Sequence, residues 1–399
     1  MSLEETAKKI ADRINGMEYA EVYSHHDADG IAAAAVISIA LQRKGIAFRL
    51  RILPVLKSAS EIEKPEISIL CDLGASIADL PDSTIIIDHH VPYNKSPFHI
   101  NPRLFGIDGE AELSAAGCAY LVANKMADNR DLAGLVMIGI LGDCQNVVGC
   151  NEKIIGDAIG NNLISPEKSI LLTGRTTKEQ IEICSSPYLP NLSGNAKLAE
   201  EIESECNKKA SEEAYFCQLL SEIIAKSDAS YNDLMSIYGD SWRLEREIIQ
   251  NAHALTAVID ACGKSGHYDL AFAVACGDAS VLKDAWKCAV EHRMNVINSL
   301  KTAEPVSKNT WLVNSAELAS DCADVLTKSK NMPVFVIARG KNYLKVSARA
   351  PLKSEVDFER FIKSVTEKFG GTGGGHKTRA GAELPQSCET EFIKMLEAF

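Results

Sequence analysis

The sequence predicts an α/β protein: a doubly wound parallel-sheet domain, a helical connector, and a smaller α/β domain that forms a cleft with the first. Three observations predict it. Across residues 1–150, short apolar runs alternate with helical patterns, as in a parallel sheet flanked by helices. Residues 151–264 read as charged amphipathic helices, for instance NAKLAEEIESECNKKASEEAYFCQLLSEII. Strand patterns then return over residues 265–399. A chain of 399 residues is too long for one ordinary core and suits about two or three domains of ~100–200 residues each.

In chain order, the first strands are expected over Ala20 to Ser24, Phe48 to Leu53, Ser68 to Cys71 and Thr84 to Ile87, with a helix from Gly30 to Lys44 after the first. Each strand ends in polar residues. Ligands of open parallel sheets gather beyond the carboxyl ends of the strands, where His25, His26, Asp27, Asp72 and the Asp88-His89-His90 triplet fall. Helical patterns run from Leu113 to Asp143 in SAAGCAYLVANKM and LAGLVMIGILGD and should cover the sheet. In the last third, DLAFAVAC, TWLVNSA, VFVIARG and YLKVSARA read as strands, followed by a helix over Val356 to Phe369.

Composition restricts the function classes. Hydrophobic residues make up 46% and charged residues 24%, which supports a folded globular chain and no disordered bias. The opening stretch is acidic and amphipathic, unlike a secretory signal. The longest uncharged apolar run, IAAAAVISIALQ, stops at Arg43, short of the ~20 residues that cross a bilayer, so the expectation is a cytoplasmic protein without a membrane partner. Twelve cysteines occur without a CxxC pair, so zinc-ribbon and thioredoxin-like readings have no support. A net charge of -12 disfavours wholesale wrapping by nucleic acid but leaves room for a local basic groove, and part of it fits a carboxylate cluster neutralised by metal ions.

VYSHHDADG, ISILCDLG and TIIIDHH share one grammar: a β-rich run delivers Asp or His at its end. A fourth acidic motif, IGILGDCQ, ends a helical run at Asp143. Carboxylates with imidazoles suit manganese or magnesium, whereas thiolates would suggest zinc or iron clusters. Several acids in one site would repel and raise one another's pKa, so a pair of divalent ions ~3.5–4 Å apart is the simplest resolution. A lone DADG is usually a turn or helix cap. Here, however, five of the nine histidines fall in HHDADG, DHH and GGGHKT. His99, His253, His267 and His292 read as ordinary imidazoles.

HHDADG, CDLG, DHH and GILGDC resemble the four motifs of the DHH phosphoesterase superfamily, and GGTGGGHKTRAGA resembles the glycine-rich motif of its DHHA1-type carboxyl-terminal domain. Within that superfamily the chain is most similar to RecJ-like single-strand exonucleases of the archaeal type, whose first motif opens with His. The resemblance implies a DHH catalytic domain over 1–150 and a DHHA1-type nucleic-acid-binding domain over 265–399. It implies that His25 and Asp27 hold one metal, Asp29 and Asp143 the other, that Asp72 bridges them and that His89 completes the shell. His90 would lie against the scissile phosphate, and Asp88 would orient a histidine. His26 carries no family role. The implied reaction is two-metal hydrolysis without a covalent enzyme intermediate.

The tail bears on the substrate. GGTGGGHKTRAG misses the P-loop pattern because His376 stands where GxxxxGK[ST] needs Gly. Read alone it is an exposed flexible loop. Gly373, Gly374 and Gly375 can also let backbone N–H groups approach a phosphate, with His376, Lys377, Arg379 and Arg349 beside them and Lys341 and Lys345 nearby in sequence. By resemblance this domain grips single-stranded nucleic acid, DNA with RNA as the alternative, with Tyr343 and Tyr93 as candidate stacking platforms. The resemblance also admits a GINS-type replication partner. Rival readings are a short-oligonucleotide phosphodiesterase, a small-molecule phosphatase and a non-catalytic replication scaffold. Polarity, sugar preference and oligomeric state stay open at this level.

Overall fold

The computed structural model describes residues 2–94, 96–351 and 354–397. Its internal contacts divide it into two compact units, Met1–Ser169 with Asp240–Ala289, and Ile170–Gly239 with Val290–Phe399.

The first unit opens with α1 (Leu3–Asn15), started by a reciprocal capping box between Ser2 and Glu5. Next come β1 (Tyr19–His25), α2 (Ala28–Arg43), β2 (Ala47–Leu53), β3 (Ser68–Cys71), β4 (Ile85–Ile87) and β5 (His99–Ile100). These strands form a wholly parallel sheet in the order β2-β1-β3-β4-β5. The chain steps from β1 outward to β2 and then returns to the other side of β1 for β3. A crevice therefore opens at the carboxyl ends of β1 and β3, where the order reverses. The expected strands over 20–24, 48–53, 68–71 and 84–87 are all present, with ends shifted by a residue at most.

Helices α3 (Ala115–Met126), α4 (Ala133–Gly142) and α5 (Gly149–Gly160) follow. The run of alanines in α2 is buried almost throughout, and short side chains let α3 and α4 pack closely on it. Ile85, Ile86 and Ile87 are fully buried, as suits a central parallel strand covered on both faces.

β6 (Ile164–Ile170) leads into α6 (Thr177–Glu182), α7 (Ala196–Cys206), α8 (Glu212–Lys226) and α9 (Tyr231–Met235), which share their own small core around Ile181, Leu189, Ile202 and Leu219. β7 (Tyr238–Leu244) pairs with β6. The helical connector is present, but it is interrupted by this two-stranded ribbon, within which the chain leaves and re-enters the first unit.

α10 (Ala252–Lys264) and α11 (Tyr268–Ala275) then pack with the first unit, and α12 (Leu282–Lys301) carries the chain onward. The expected strand DLAFAVAC is corrected: residues 269–276 lie almost wholly in α11. Its buried positions Ala271, Val274 and Ala275 repeat at three and four residues, the helical spacing, which a short unbroken apolar run conceals.

The second sheet is built from β8 (Glu304–Ser307), β9 (Thr310–Val313), β10 (Val334–Arg339) after α13 (Ala319–Lys330), β11 (Tyr343–Arg349), and, beyond α14 (Phe358–Phe369), β12 (Thr372–Gly375) and β13 (Arg379–Pro385). α15 (Glu389–Glu397) follows. The order is β12-β13-β11-β10-β9-β8, mixed because only β9 and β10 run parallel. The glycine-rich tail is thus an edge strand with a continuous ladder to β13, and the loop expectation is corrected. No helix of the described residues is long and apolar enough to cross a membrane.

Candidate metal centre

The carboxyl ends of β1, β3 and β4, with the start of α2 and the end of α4, deliver the site. β1 ends on His25, and Asp27 caps α2, its Oδ1 accepting from the Gly30 N–H at 3.0 Å. A Cβ on Gly30 would lie 2.5 Å from the His25 carbonyl oxygen, so the DADG motif needs its glycine for this close turn. Asp29, in the first turn of α2, is fully buried. Its two carboxylate oxygens accept from the N–H groups of Ala115 and Ala116 at 2.7 and 2.9 Å, at the amino end of α3. β3 delivers Asp72 in the left-handed region at φ 56°, a conformation Asp tolerates better than most residues and one common at functional sites. β4 delivers Asp88, His89 and His90. Asp143 is the carboxyl cap of α4.

These side chains converge. His25 Nδ1 lies 2.9 Å from Asp27 Oδ2 and 3.2 Å from Asp72 Oδ2. The other oxygen of Asp72 lies 3.4 Å from His89 Nε2 and 3.4 Å from His90 Nδ1. His89 Nε2 is also 3.1 Å from Asp143 Oδ2 and 3.8 Å from Asp29 Oδ2. Among the described residues, three overlapping groups could hold a cation. Two of them, His25-Asp27-Asp72 and Asp29-His89-Asp143, flank Asp72, whose carboxylate turns one oxygen toward each, and the third, Asp72-Asp88-His89-His90, draws in Asp88.

Asp88 also approaches this ring but is differently engaged. Its oxygens accept from the backbone N–H groups of Ala75, His89 and His90 and from His90 Nδ1 at 2.7 Å. Burial would push this carboxyl up, but the neighbouring His90 and His89 and these donors hold it well below the usual carboxylate range. A carboxylate with so many donors is poorly suited to bind a cation directly.

The donor set fits divalent cations. Asp72 Oδ1 and Asp143 Oδ2 are buried and accept no aligned hydrogen bond. Among the described residues, no Lys or Arg is ion-paired with Asp27, Asp29, Asp72 or Asp143. Burial and the adjacent Asp72 push Asp29 up to about 6, and burial with the surrounding acids pushes Asp143 well above its ordinary value against the pull of His89. Asp27 is also pushed up by burial, yet the His25 ring holds it well below its ordinary value. Carboxylates crowded at such cost are the arrangement that bound cations relieve.

The DHH family N-terminal domain matches residues 21–140 and the DHHA1 domain matches residues 312–399. The chain belongs to the DHH/DHHA1 phosphoesterase superfamily. An uncharacterized protein of Methanocaldococcus jannaschii is 27% identical over 425 residues, spanning 99% of this chain and 96% of that relative. RecJ from Thermus thermophilus, crystallised with Mn2+, superposes with a TM-score of 0.60 at 17% identity over 99% of this chain. This chain spans about half of that RecJ, 54%. CDC45 from Entamoeba histolytica superposes with a TM-score of 0.64 at 12% identity, covering all of this chain and 98% of CDC45. These likenesses share the fold. In this DHH/DHHA1 chain, the clustered Asp and His residues support a two-metal phosphoesterase site.

The residues expected to bind a strand lie on the second sheet or, for His376 and Lys377, in the turn between β12 and β13. Arg349 on β11 and Arg379 on β13 stand opposite one another in register. Both reach the same carboxylate, Arg349 Nε to Asp324 Oδ1 at 2.7 Å and Arg379 Nη2 to Asp324 Oδ2 at 3.0 Å. Arg349 is mostly buried, while Arg379 remains a third exposed. Gly373, Gly374 and Gly375 are exposed along edge strand β12, and Gly375 sits at φ 143°, a conformation that requires glycine. The His376 N–H donates to the Arg379 carbonyl at 2.7 Å, and the Lys377 carbonyl accepts from Phe358 N–H. Lys345 pairs with Glu383. Tyr93 and Tyr343 are exposed. His26 stacks edge-on to His25 at 4.8 Å, outside both ligand sets, and burial pushes its pKa down to about 4.

Sequence reasoning missed Asp324, and it missed the supports of the DHH triplet: Asn101 Nδ2 donates to the His90 carbonyl and Arg103 Nε to the His89 carbonyl. It also missed Gly139. A Cβ there would lie 2.1 Å from Asp29 Oδ1 and 2.7 Å from the Ala116 Cβ. Its place four residues before Asp143, on the same helix face, was the available signal. Gly139→Ala is expected to destabilise the protein by about 1–3 kcal/mol through overpacking and to weaken Mn2+ binding by displacing Asp29. Thermal unfolding and metal titration of the variant check both effects.

Proposed function

We propose that this chain is a two-metal phosphodiesterase that releases nucleotides from the ends of single-stranded DNA, with RNA as the alternative substrate. The observation carrying the reading is the Asp72 carboxylate, placed with one oxygen toward His25 and Asp27 and the other toward His89 beside Asp29 and Asp143. In this reading His25, Asp27 and Asp72 would hold one ion, and Asp29, Asp143 and His89, with Asp72 shared between the two sets, would hold the other. Manganese is the expected metal, with magnesium as the alternative. When bound, such ions acidify a water and neutralise charge that gathers on the phosphate oxygens. Asp88 engages His90 Nδ1, which leaves Nε2 as the nitrogen for the scissile phosphate. Asn101 and Arg103 pin the backbone carbonyls of the two histidines, which fixes the backbone carrying both rings before substrate arrives.

The β11–β13 face and the exposed backbone of β12 are assigned to the strand. Arg379 is the more accessible of the two arginines on Asp324 and is the one proposed to meet a backbone phosphate. Arg379→Ala is expected to weaken single-strand binding about tenfold, corresponding to ~1.4 kcal/mol, while hydrolysis of a minimal phosphodiester is retained. Fluorescence anisotropy with labelled oligonucleotides, alongside a chromogenic diester assay, separates the two effects.

The activity test uses the purified chain with Mn2+ and single-stranded DNA, RNA and short oligonucleotides, each labelled at either end. A ladder receding from one end of the single strands supports the proposal. Hydrolysis confined to oligonucleotides of a few residues would move the assignment to a short-oligonucleotide phosphodiesterase, and hydrolysis of small phosphate compounds alone to a phosphatase. No hydrolysis of any of them would favour a replication scaffold, for which binding to GINS is the direct assay.

A further inference from the structure

We propose that Asp260 and Gly263 of α10 clamp the peptide groups on either side of Asp27 and so set the metal affinity of the His25-Asp27-Asp72 set. The inference rests on the two-metal reading and gives a positioning role to a helix outside both matched family stretches, residues 21–140 and 312–399. Asp260 Oδ1 accepts from the Ala28 N–H, just after Asp27, at 3.3 Å. Gly263, three residues further along and on the same helix face, meets the chain just before Asp27. A Cβ there would lie 1.8 Å from the His26 carbonyl oxygen.

The local backbone needs both contacts. Ala28 is the first residue of α2, so its N–H has no acceptor within the helix, and the residue is fully buried, out of reach of bulk water. Asp27 cannot serve it, because Oδ1 accepts from the Gly30 N–H at 3.0 Å and Oδ2 lies 2.9 Å from His25 Nδ1. A second carboxylate beside Asp27 would crowd an already acidic site. Lys264, one turn on, offsets it with Nζ 2.7 Å from Asp260 Oδ2, so Asp260 supplies the acceptor without adding net charge. Glycine is a poor helix former, and its place in the last turn of α10 is explained by the close approach to His26.

The Asp29-His89-Asp143 set has supports of its own. Asp29 is held by the N–H groups of Ala115 and Ala116. His89 Nδ1 lies 2.6 Å from the Gly109 carbonyl, in a turn so close that a Cβ at Gly109 would lie 2.3 Å from the His89 carbonyl oxygen. The clamp therefore bears on one ion position rather than on both, and Asp27 is the ligand through which it acts. Partners that orient a metal ligand commonly contribute 10–100-fold in affinity.

The test compares the parent chain with Asp260→Ala, Asp260→Asn and Gly263→Ala. Ala at 260 removes the acceptor, whereas Asn keeps an oxygen for the Ala28 N–H and loses only the charge. Calorimetric titration with Mn2+ reads the number of ions and their affinities, and anomalous maps from crystals grown with Mn2+ assign each ion to its ligands. The expected result is two ions in the parent and, in Asp260→Ala, binding of the ion beside His25 and Asp27 weakened about tenfold or more with the other ion unchanged. Asp260→Asn should bind both as the parent does, and Gly263→Ala should weaken the same ion as Asp260→Ala by displacing the His26 carbonyl. If one of the two Ala variants fails to fold, the other decides. Unchanged Mn2+ binding in a folded Ala variant would overturn the clamp. Equal weakening of both ions, the mark of general structural damage, would overturn it too, as would an Asp260→Asn chain that binds no better than Asp260→Ala. A parent that binds no Mn2+ would overturn the two-metal reading and the clamp with it, whereas the other failures leave that reading in place.

Discussion

Replacing Asp72 with Ala is expected to lower phosphodiester hydrolysis by about a thousandfold or more, equivalent to ~4 kcal/mol of lost transition-state stabilisation. Asp72 is the one carboxylate whose two oxygens face both ligand sets, so its removal unmakes both positions together. Loss of Asp27 would leave Asp29, His89 and Asp143 in place, and loss of Asp143 would leave His25, Asp27 and Asp72. Asp72 also stands at φ 56°, where Ala is less well accommodated than Asp. Asp72→Asn separates the contributions: it keeps the shape and the backbone preference but weakens the charge, and should remain folded while losing most activity. Steady-state kinetics on a labelled single strand, with circular dichroism as the folding control, measures both variants.

The second large effect falls on stability. Asp88→Asn sets an NH2 group among N–H donors from Ala75, His89 and His90 and His90 Nδ1, all of which require an acceptor. Hydrogen bonds to a buried charge contribute about 1.5–3 kcal/mol each, and donors left facing a donor lose that and their hydration. The expected cost is about 3 kcal/mol or more, with activity falling as His90 loses its anchor. The carboxyl of Asp88 is held low in the folded state. Its contribution is therefore present above its unfolded pKa of ~3.9 and fades as pH falls through the lower folded value. Denaturant unfolding near neutral pH and again below pH 4 should show the gap between parent and Asp88→Asn narrowing in acid.

Much of the first sheet and of the candidate site was legible because parallel topology places His25, Asp72 and the Asp88-His89-His90 triplet at strand ends. Asp72 and Asp88 each follow an uninterrupted apolar run, so periodicity and chemistry located them together. His25 and Asp27 were legible for the same reason. What escaped depends on contacts between segments far apart in the chain. Asp324 lies on a helix whose pattern gives no hint that Arg349 and Arg379 will share it. Gly109 and Gly139 matter for the atoms that a Cβ would strike, which no local pattern encodes. DLAFAVAC was misread because the seven apolar and small residues after Asp269 satisfy strand and helix alike, and packing onto α2 and α10 decided for the helix. Arg349 was expected at the strand and is instead mostly buried against Asp324, since a sequence shows a charge without its counter-charge.

The most direct test of the two-metal centre is anomalous scattering from crystals of this chain grown with Mn2+. The structure predicts two manganese peaks about 3.5–4 Å apart on either side of the Asp72 carboxylate, one beside His25 and Asp27 and the other beside Asp29, His89 and Asp143. Ordered density for these side chains with no manganese peak, or with one peak that does not touch Asp72, would contradict it.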